Sequence, residues 1–459
     1  MAAEPVSPHA PHRGLVPLGL FALVLGGCYR EARTLETPEA RLAWIRTLRP
    51  VVATEPSPPT GTQDVCGPLT EAALIERALT RDAAITEKRG EARVLDAEAE
   101  VSLAGTPQLR ISNLRVDRLI DGPERLDLGL RFPFERPGTL DARADEIRRD
   151  ADRVRAEGDE VALETRYAVR VAWSRLAVSL EIEAVLQDDV TLAEAEVARL
   201  GAGSRQREVA LQDLAAAERE RLDASTDLGR SRSEVARWRA ELTRLTGCEV
   251  PAARIELPDG RSSGGVAELE HVPEADEAPE AALDRALAEH PRLAQRAAAR
   301  RAADARRYEA RAQSWPWLAW AQVGYELDSD HDARAFAFAF GIDLPLFAWD
   351  GAALDHADTE LRAIDEVAAR EADTIARAIA AARTEVRAQR DALAALTKAR
   401  NDLDPQRLEA LRKGVAQGFV DPIDVFRLDR ELHRLERRRL EVVENLALAR
   451  ARLLLALGR

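Results

Sequence analysis

The sequence predicts a mainly α protein with a small β part, built as two tandem repeats, each with one long coiled-coil hairpin and two strands. Three observations carry that prediction. The phrase Glu71-Ala72-Ala73-Leu74-Ile75-Glu76-Arg77-Ala78-Leu79 returns as Glu280-Ala281-Ala282-Leu283-Asp284-Arg285-Ala286-Leu287. A period of about 210 residues is too long for a solenoid unit, so it reads as a duplicated half-molecule. Charged residues make up 32% of the 459 residues and aromatics only 4%, the profile of long helices whose cores are thin seams. Finally, each repeat interrupts its helical pattern once, with a pair of short alternating segments. Long helices flanking isolated strand pairs suit an object that crosses two environments.

Residues 1–27 read as a targeting segment, with Arg13 ahead of an apolar run from Leu15 to Leu25. The run is too short to span a bilayer as a helix. It ends in Leu25-Gly26-Gly27-Cys28, which resembles the bacterial lipobox, where cleavage leaves a lipid-modified cysteine, here Cys28. An ordinary signal peptide or a short buried helix is the alternative. Residues 28–68 form a proline-bearing leader that contains Cys66.

The first repeat spans 69–250. Thr70 is placed to cap a helix reaching about Leu103, and Gly105-Thr106-Pro107 stops it. Strands are expected at Gln108–Arg118 and Arg125–Glu135, within 108–135. In the first of them Leu109 and Ile111 fall out of phase with Leu114 and Val116, so it holds a bulge or does not span. No proline occurs between Gly138 and Val250, and Leu200-Gly201-Ala202-Gly203-Ser204 divides this stretch into a hairpin with its tip at 200–204. The descending arm, Leu140–Leu200, would be roughly 90 Å long. The returning arm carries a seam of Leu228, Val235, Trp238, Leu242 and Leu245, and Gly247-Cys248 ends it.

A loop-rich linker at 251–279 leads to the second repeat, 280–459. A helix is expected from about Glu280 to Ala312, then strands Trp315–Leu327 and Arg334–Phe347, within 315–347. A second hairpin descends from Gly351 to Ala416, turns at 413–422 and returns from Pro422 to Leu457. Leu428, Leu432, Leu435, Arg439, Val442, Leu446, Ala449 and Leu453 trace a heptad seam along the return.

The strands carry the environment signal. Phe336, Phe338, Phe340, Ile342 and Leu344 share one face, opposite Ala337, Ala339, Gly341 and Asp343. Leu126, Leu128, Leu130, Phe132 and Phe134 likewise oppose Asp127, Gly129, Arg131 and Pro133. Large apolar against small or polar fits lipid outside and water inside. A small sheet packed on a helix has the same period, but no apolar helix is available to cover these faces. The Trp315, Trp317, Trp320 and Tyr325 cluster suits an interfacial girdle.

Other classes are disfavoured. A net charge of −14 argues against nucleic acid, which needs a basic face. There is no Cys-x-x-Cys or Cys/His cluster for a metal, and no nucleophile elbow, phosphate loop or His/carboxylate cluster for a cofactor or catalysis.

The order helix, two strands, long hairpin, repeated over about Leu69 to Gly458, resembles the TolC family of outer-membrane efflux proteins. Local phrases agree: Arg285-Ala286-Leu287-Ala288-Glu289-His290-Pro291 at the start of a repeat, and Leu344-Pro345-Leu346-Phe347 before Gly351, with Phe132-Pro133-Phe134 as its first-half version. Gly418 through Asp424-Val425, then Leu457-Gly458, is similar to the family's last helix. The resemblance implies a homotrimer with a twelve-stranded barrel in the outer membrane of a Gram-negative bacterium and an α-helical tube in the periplasm. It further implies a passive conduit of a tripartite efflux or type I secretion system, working with a periplasmic adaptor and an inner-membrane pump or transporter. Catalytic activity is not implied. Adaptor docking would fall on the tips: Leu200, Gly201, Gly203, Ser204, Gly414, Gly418 and Asp421.

Beyond the second tip, Asp424-Val425-Phe426-Arg427 matches a place where the family often writes Asp-Val-Leu-Asp, at the channel mouth. Threefold symmetry would make Asp424 a carboxylate ring. Arg427 replaces the second acid, which suggests an intersubunit Asp424–Arg427 clasp or, equally, an ordinary exposed pair on one helix. Helix-length arithmetic brings Cys66 and Cys248 to the same level, near the middle of the tube. In an oxidising compartment they could pair. The competing reading is a lipid-anchored periplasmic coiled-coil structural protein without a pore, which needs no alternating strands.

Overall fold

The computed structural model describes residues 70–459 apart from 104–107, 116–124, 137, 206–210, 251–268, 271, 314–315, 329–332, 344–350, 403–404, 418 and 420–421. The expected signal segment and leader, with Cys28 and Cys66, lie outside the described residues, as do Gly418 and Asp421.

Thr70 does cap the first helix, α1 (Glu71–Arg81), its hydroxyl accepting from the Ala73 N–H at 3.3 Å. The expected single helix to Leu103 is two, however. Asp82 leaves helical geometry at ψ 115°, and its carboxylate accepts from the Ala84 N–H at 2.9 Å, capping α2 (Ala83–Leu103). The second repeat breaks at the matching place. His290, at ψ 127°, separates α5 (Pro279–Glu289) from α6 (Pro291–Gln313). Pro291 forces that break, since its ring pushes the preceding residue out of the helical region. In the first repeat a side-chain cap does the same work without proline.

Four strands form one antiparallel sheet in the order β1-β2-β3-β4: β1 (Gln108–Arg115), β2 (Arg125–Pro133), β3 (Trp317–Asp328) and β4 (Ala333–Asp343). The two repeats meet through β2 and β3, where Leu130 lies opposite Val323. The phase break in β1 is a register shift between Ile111 and Leu114. A second one lies between Leu318 and Trp320.

Gly138 (φ 80°) and Gly351 (φ 71°) take the left-handed turn that opens the two descending helices, a conformation available to glycine at no steric cost. The first of these helices, α3 (Thr139–Arg205), is about 100 Å long. It stays helical through Gly201, Gly203 and Ser204, so the expected tip at 200–204 is the helix's last turn. Glycine weakens a helix by only about 1 kcal/mol, which flanking contacts override. The return is α4 (Leu211–Thr246). The second descent also departs from expectation. It breaks after α7 (Ala352–Asp402) and resumes as α8 (Pro405–Ala416), because Pro405 disfavours helix before it. The last helix is α9 (Pro422–Ala456).

The core is a set of seams. The α4 seam is present as read: Leu228, Val235 and Leu242 are buried, Val235 and Leu242 in a cluster with Val169, Trp173 and Leu176 of α3. On α9 the single heptad seam resolves into two faces. Leu446, Ala449 and Leu453 pack against Ile375, Ile379 and Val386 of α7, whereas Leu440, Val443 and Ala447 pack against Ala177 and Val178 of α3. A helix gripped from two sides needs a wider apolar band than one heptad stripe supplies.

Candidate functional site

Two regions stand apart from the packed body: the sheet's apolar face and the far ends of the hairpins. Phe336, Phe338, Phe340 and Ile342 are 72%, 78%, 69% and 56% exposed, on one face of an edge strand. Phe132, Leu318 and Val323 add to the same apolar exposure. Tyr325 packs edge-on against Phe336 with ring centroids 5.4 Å apart. Leaving such side chains in water forgoes about 1.5–3 kcal/mol each, so the face calls for a non-aqueous neighbour. β3 has 12 residues, about 40 Å of strand. Tilted near 45°, that covers an apolar band of about 25 Å.

The opposite face is built differently. Arg131 lies 4.1 Å over the Trp320 ring. Gly341 sits beneath that ring, and any Cβ there would collide with it. Arg131, Gln322 and Trp320 therefore line one side while the phenylalanines line the other. No helix among the described residues is long and apolar enough to cross a membrane.

At the hairpin ends the expected docking residues divide. Leu200 is buried, and Gly201 is half-buried in the last turns of α3. Gly203 and Ser204 follow in the same helix. Gly414 lies in α8, and its carbonyl accepts from the Phe419 N–H at 2.9 Å, closing the helix end and leaving Phe419 83% exposed. Asp424 and Arg427 pair within the chain at 3.8 Å, both exposed in the first two turns of α9. The ordinary i,i+3 reading therefore describes the single chain.

One cluster near this end was missed. Arg430 of α9 pairs with Glu196 of α3 and Glu220 of α4; His433 bonds Asp189 of α3; Arg437 reaches Asp227 of α4 at 3.4 Å. The bond to Asp189 raises the His433 pKa above its ordinary 6.5, with the charges of Asp189, Asp188 and Asp429 adding to it and burial opposing. The available signal was the 3- and 4-residue spacing of Arg430, His433 and Arg437, which puts three cationic groups on one helix face. Sequence reading followed the adjacent leucines instead.

Cys248 is fully buried beside Leu74, Ala78 and Leu242, and it is disulfide-bonded. Among the described residues no group of three or more His, Cys, Asp or Glu side chains could hold a metal.

No family model and no curated protein sequence matches this chain. Solved structures do. CusC, described for its folding and transmembrane channel formation, matches over 86% of this chain and 93% of its own at 17% identity, TM-score 0.65. The VceC outer membrane protein of Vibrio cholerae matches over 84% and 96% at 16% identity, TM-score 0.60. The MtrE outer membrane channel of Neisseria gonorrhoeae, in its open state, matches over 84% and 88% at 18% identity, TM-score 0.57. The chain has the fold of these outer-membrane channels.

Proposed function

We propose that the chain is the outer-membrane channel component of a tripartite efflux or type I secretion system, a passive conduit anchored through Cys28. In this reading three copies join their four-stranded sheets into a twelve-stranded barrel, and the long hairpins form the periplasmic tube. The carrying observation is the sheet. It exposes Phe336, Phe338 and Phe340 on one face, presents Arg131 and Gln322 on the other, and leaves β1 and β4 as edges. Four strands cannot close on themselves, and barrels cross membranes only when closed. Three sheets joined into one barrel, with lipid on the outer face and water on the inner, answer both requirements.

The hairpin ends, with Gly201, Gly203, Ser204, Gly414, Gly418 and Asp421, are the surface for the adaptor, and Asp424 with Arg427 stands at the channel mouth. The full-length protein, extracted from outer membranes in mild detergent and reconstituted in a planar bilayer, is expected to run as a trimer and conduct ions. A monomer, or a trimer without conductance, refutes the channel; the latter would favour the structural lipoprotein. Docking has its own test. A Gly203→Trp, Gly418→Trp double variant should abolish export in cells while trimers persist, and unchanged export would remove the tips from the docking surface.

A further inference from the structure

The two repeats are built alike at their kinks, but not identically. Matching the kinks sets Asp82 against His290, and matching the turn glycines, Gly138 and Gly351, sets Thr165 of α3 against Ala378 of α7. In the first repeat these two places are joined. One carboxylate oxygen of Asp82 accepts from the Ala84 N–H and caps α2, and the other accepts from the Thr165 hydroxyl at 2.7 Å. In the second repeat only the cap survives. The Nδ1 of His290 accepts from the Arg292 N–H at 3.3 Å, and Ala378 has no hydroxyl to offer. Where the bridge is missing there is a cavity of about 380 Å³, at the place where the end of α9 meets the start of α6 between α3 and α7.

This cavity has an apolar floor and a charged rim. Leu163 of α3, Ile375, Ala378 and Ala381 of α7 and Leu455 of α9 supply the floor. Sites for small organic molecules have about this size, roughly 300–1,000 Å³, and a mainly apolar lining with few polar groups. On the rim Arg292 pairs with Glu160 at 2.6 Å, and Arg452 pairs with Glu385, so both guanidinium groups are already engaged. His290 is largely uncharged at neutral pH, because burial, with Arg292 adding, lowers its pKa. That leaves Glu164, exposed on the rim and without an ion pair among the described residues. The wall therefore carries one negative charge that no side chain offsets.

We propose that this cavity binds a small organic cation, an ammonium group on an apolar body, with the body on the alanine floor and the ammonium beside Glu164. An anionic ligand would face Glu164 with no free guanidinium to receive it, and a neutral one would gain the floor alone. Because Glu164 is exposed, its charge sets a preference of several-fold, while the floor sets the affinity. The site stands beside the channel reading and does not rest on it, since binding requires neither three copies nor a pore.

The probe is phenylbutylammonium, with phenylbutanol and phenylbutyrate as its neutral and anionic matches. Each is titrated calorimetrically into the full-length protein in lipid nanodiscs, with empty nanodiscs as the blank. The ammonium should bind saturably, one per chain, several-fold tighter than the alcohol, with the butyrate weakest. Glu164→Gln should bring the ammonium down to the level of the alcohol and leave the alcohol unchanged. Ala381→Trp fills the floor and should weaken both by at least about tenfold. Transplanting the first repeat's bridge, His290→Asp with Ala378→Thr, should do the same with the fold retained, because the other kink already accommodates that pair. No saturable binding above the blank, equal binding of the three probes, or binding unchanged by both Ala381→Trp and the transplant overturns the site. Mass and conductance are measured on the same protein. A conducting trimer that fails to bind overturns the site and leaves the channel standing; a monomer that binds with the expected preference overturns the channel and leaves the site.

Discussion

His433 shows how one residue can matter without lying on any recognised motif. Its pKa is raised chiefly by the bond to Asp189, so protonation and the α9–α3 contact support each other. A group with a raised folded-state pKa contributes fully below its unfolded value of about 6.5, and loses that contribution as pH rises through the folded value. His433→Gln is expected to lower the melting temperature at pH 5.5 and leave it nearly unchanged at pH 9; equal losses at both would show that only packing was removed. His290 behaves in the opposite sense. Burial, with Arg292 adding, holds its pKa below 6.5, so the kink it occupies is most stable above that pH and weakens as pH falls through the folded value. Neither role was legible in the sequence, because Asp189 and the packing that buries His290, Gly458 included, come from distant parts of the chain.

At the scale of elements, periodicity carried most of the information. Alternation in β4 identified the face on which Phe336, Phe338 and Phe340 now stand exposed, and the phase break in β1 marked the register shift between Ile111 and Leu114. Phe338→Arg on that face should cost about 2–4 kcal/mol if it sits near the middle of a bilayer. The measurement is the fraction recovered as trimer from outer membranes, expected to fall several-fold; full recovery would mean that the face does not meet lipid. Helix ends were read less well. The bend at Asp82 and the extra turns of α3 through Arg205 hinge on one side chain and on flanking packing, which periodicity does not record. The break at Pro405 was written in the sequence and passed over, since the apolar pattern continues on both sides of it.

For the whole molecule, the buried Cys248 sits where α1 meets the end of α4. A disulfide to Cys66 would fasten the leader to the helical body at that level, closing a loop of more than 180 residues. Such a closure contributes on the order of 4–5 kcal/mol in the chain-entropy account. Thiol titration of the unfolded, non-reduced protein should find neither Cys66 nor Cys248 reactive, and two reactive thiols would reject the pairing. Duplication and strand faces were legible in the sequence alone, because each is a local repetition that chain geometry must obey. Which faces remain uncovered was decided only in three dimensions. Val94 and Ala302 occupy matching places on α2 and α6, counted from the kinks at Asp82 and His290, yet one is open and the other buried. Burial belongs to the neighbour as much as to the residue, and only folding brings the neighbour.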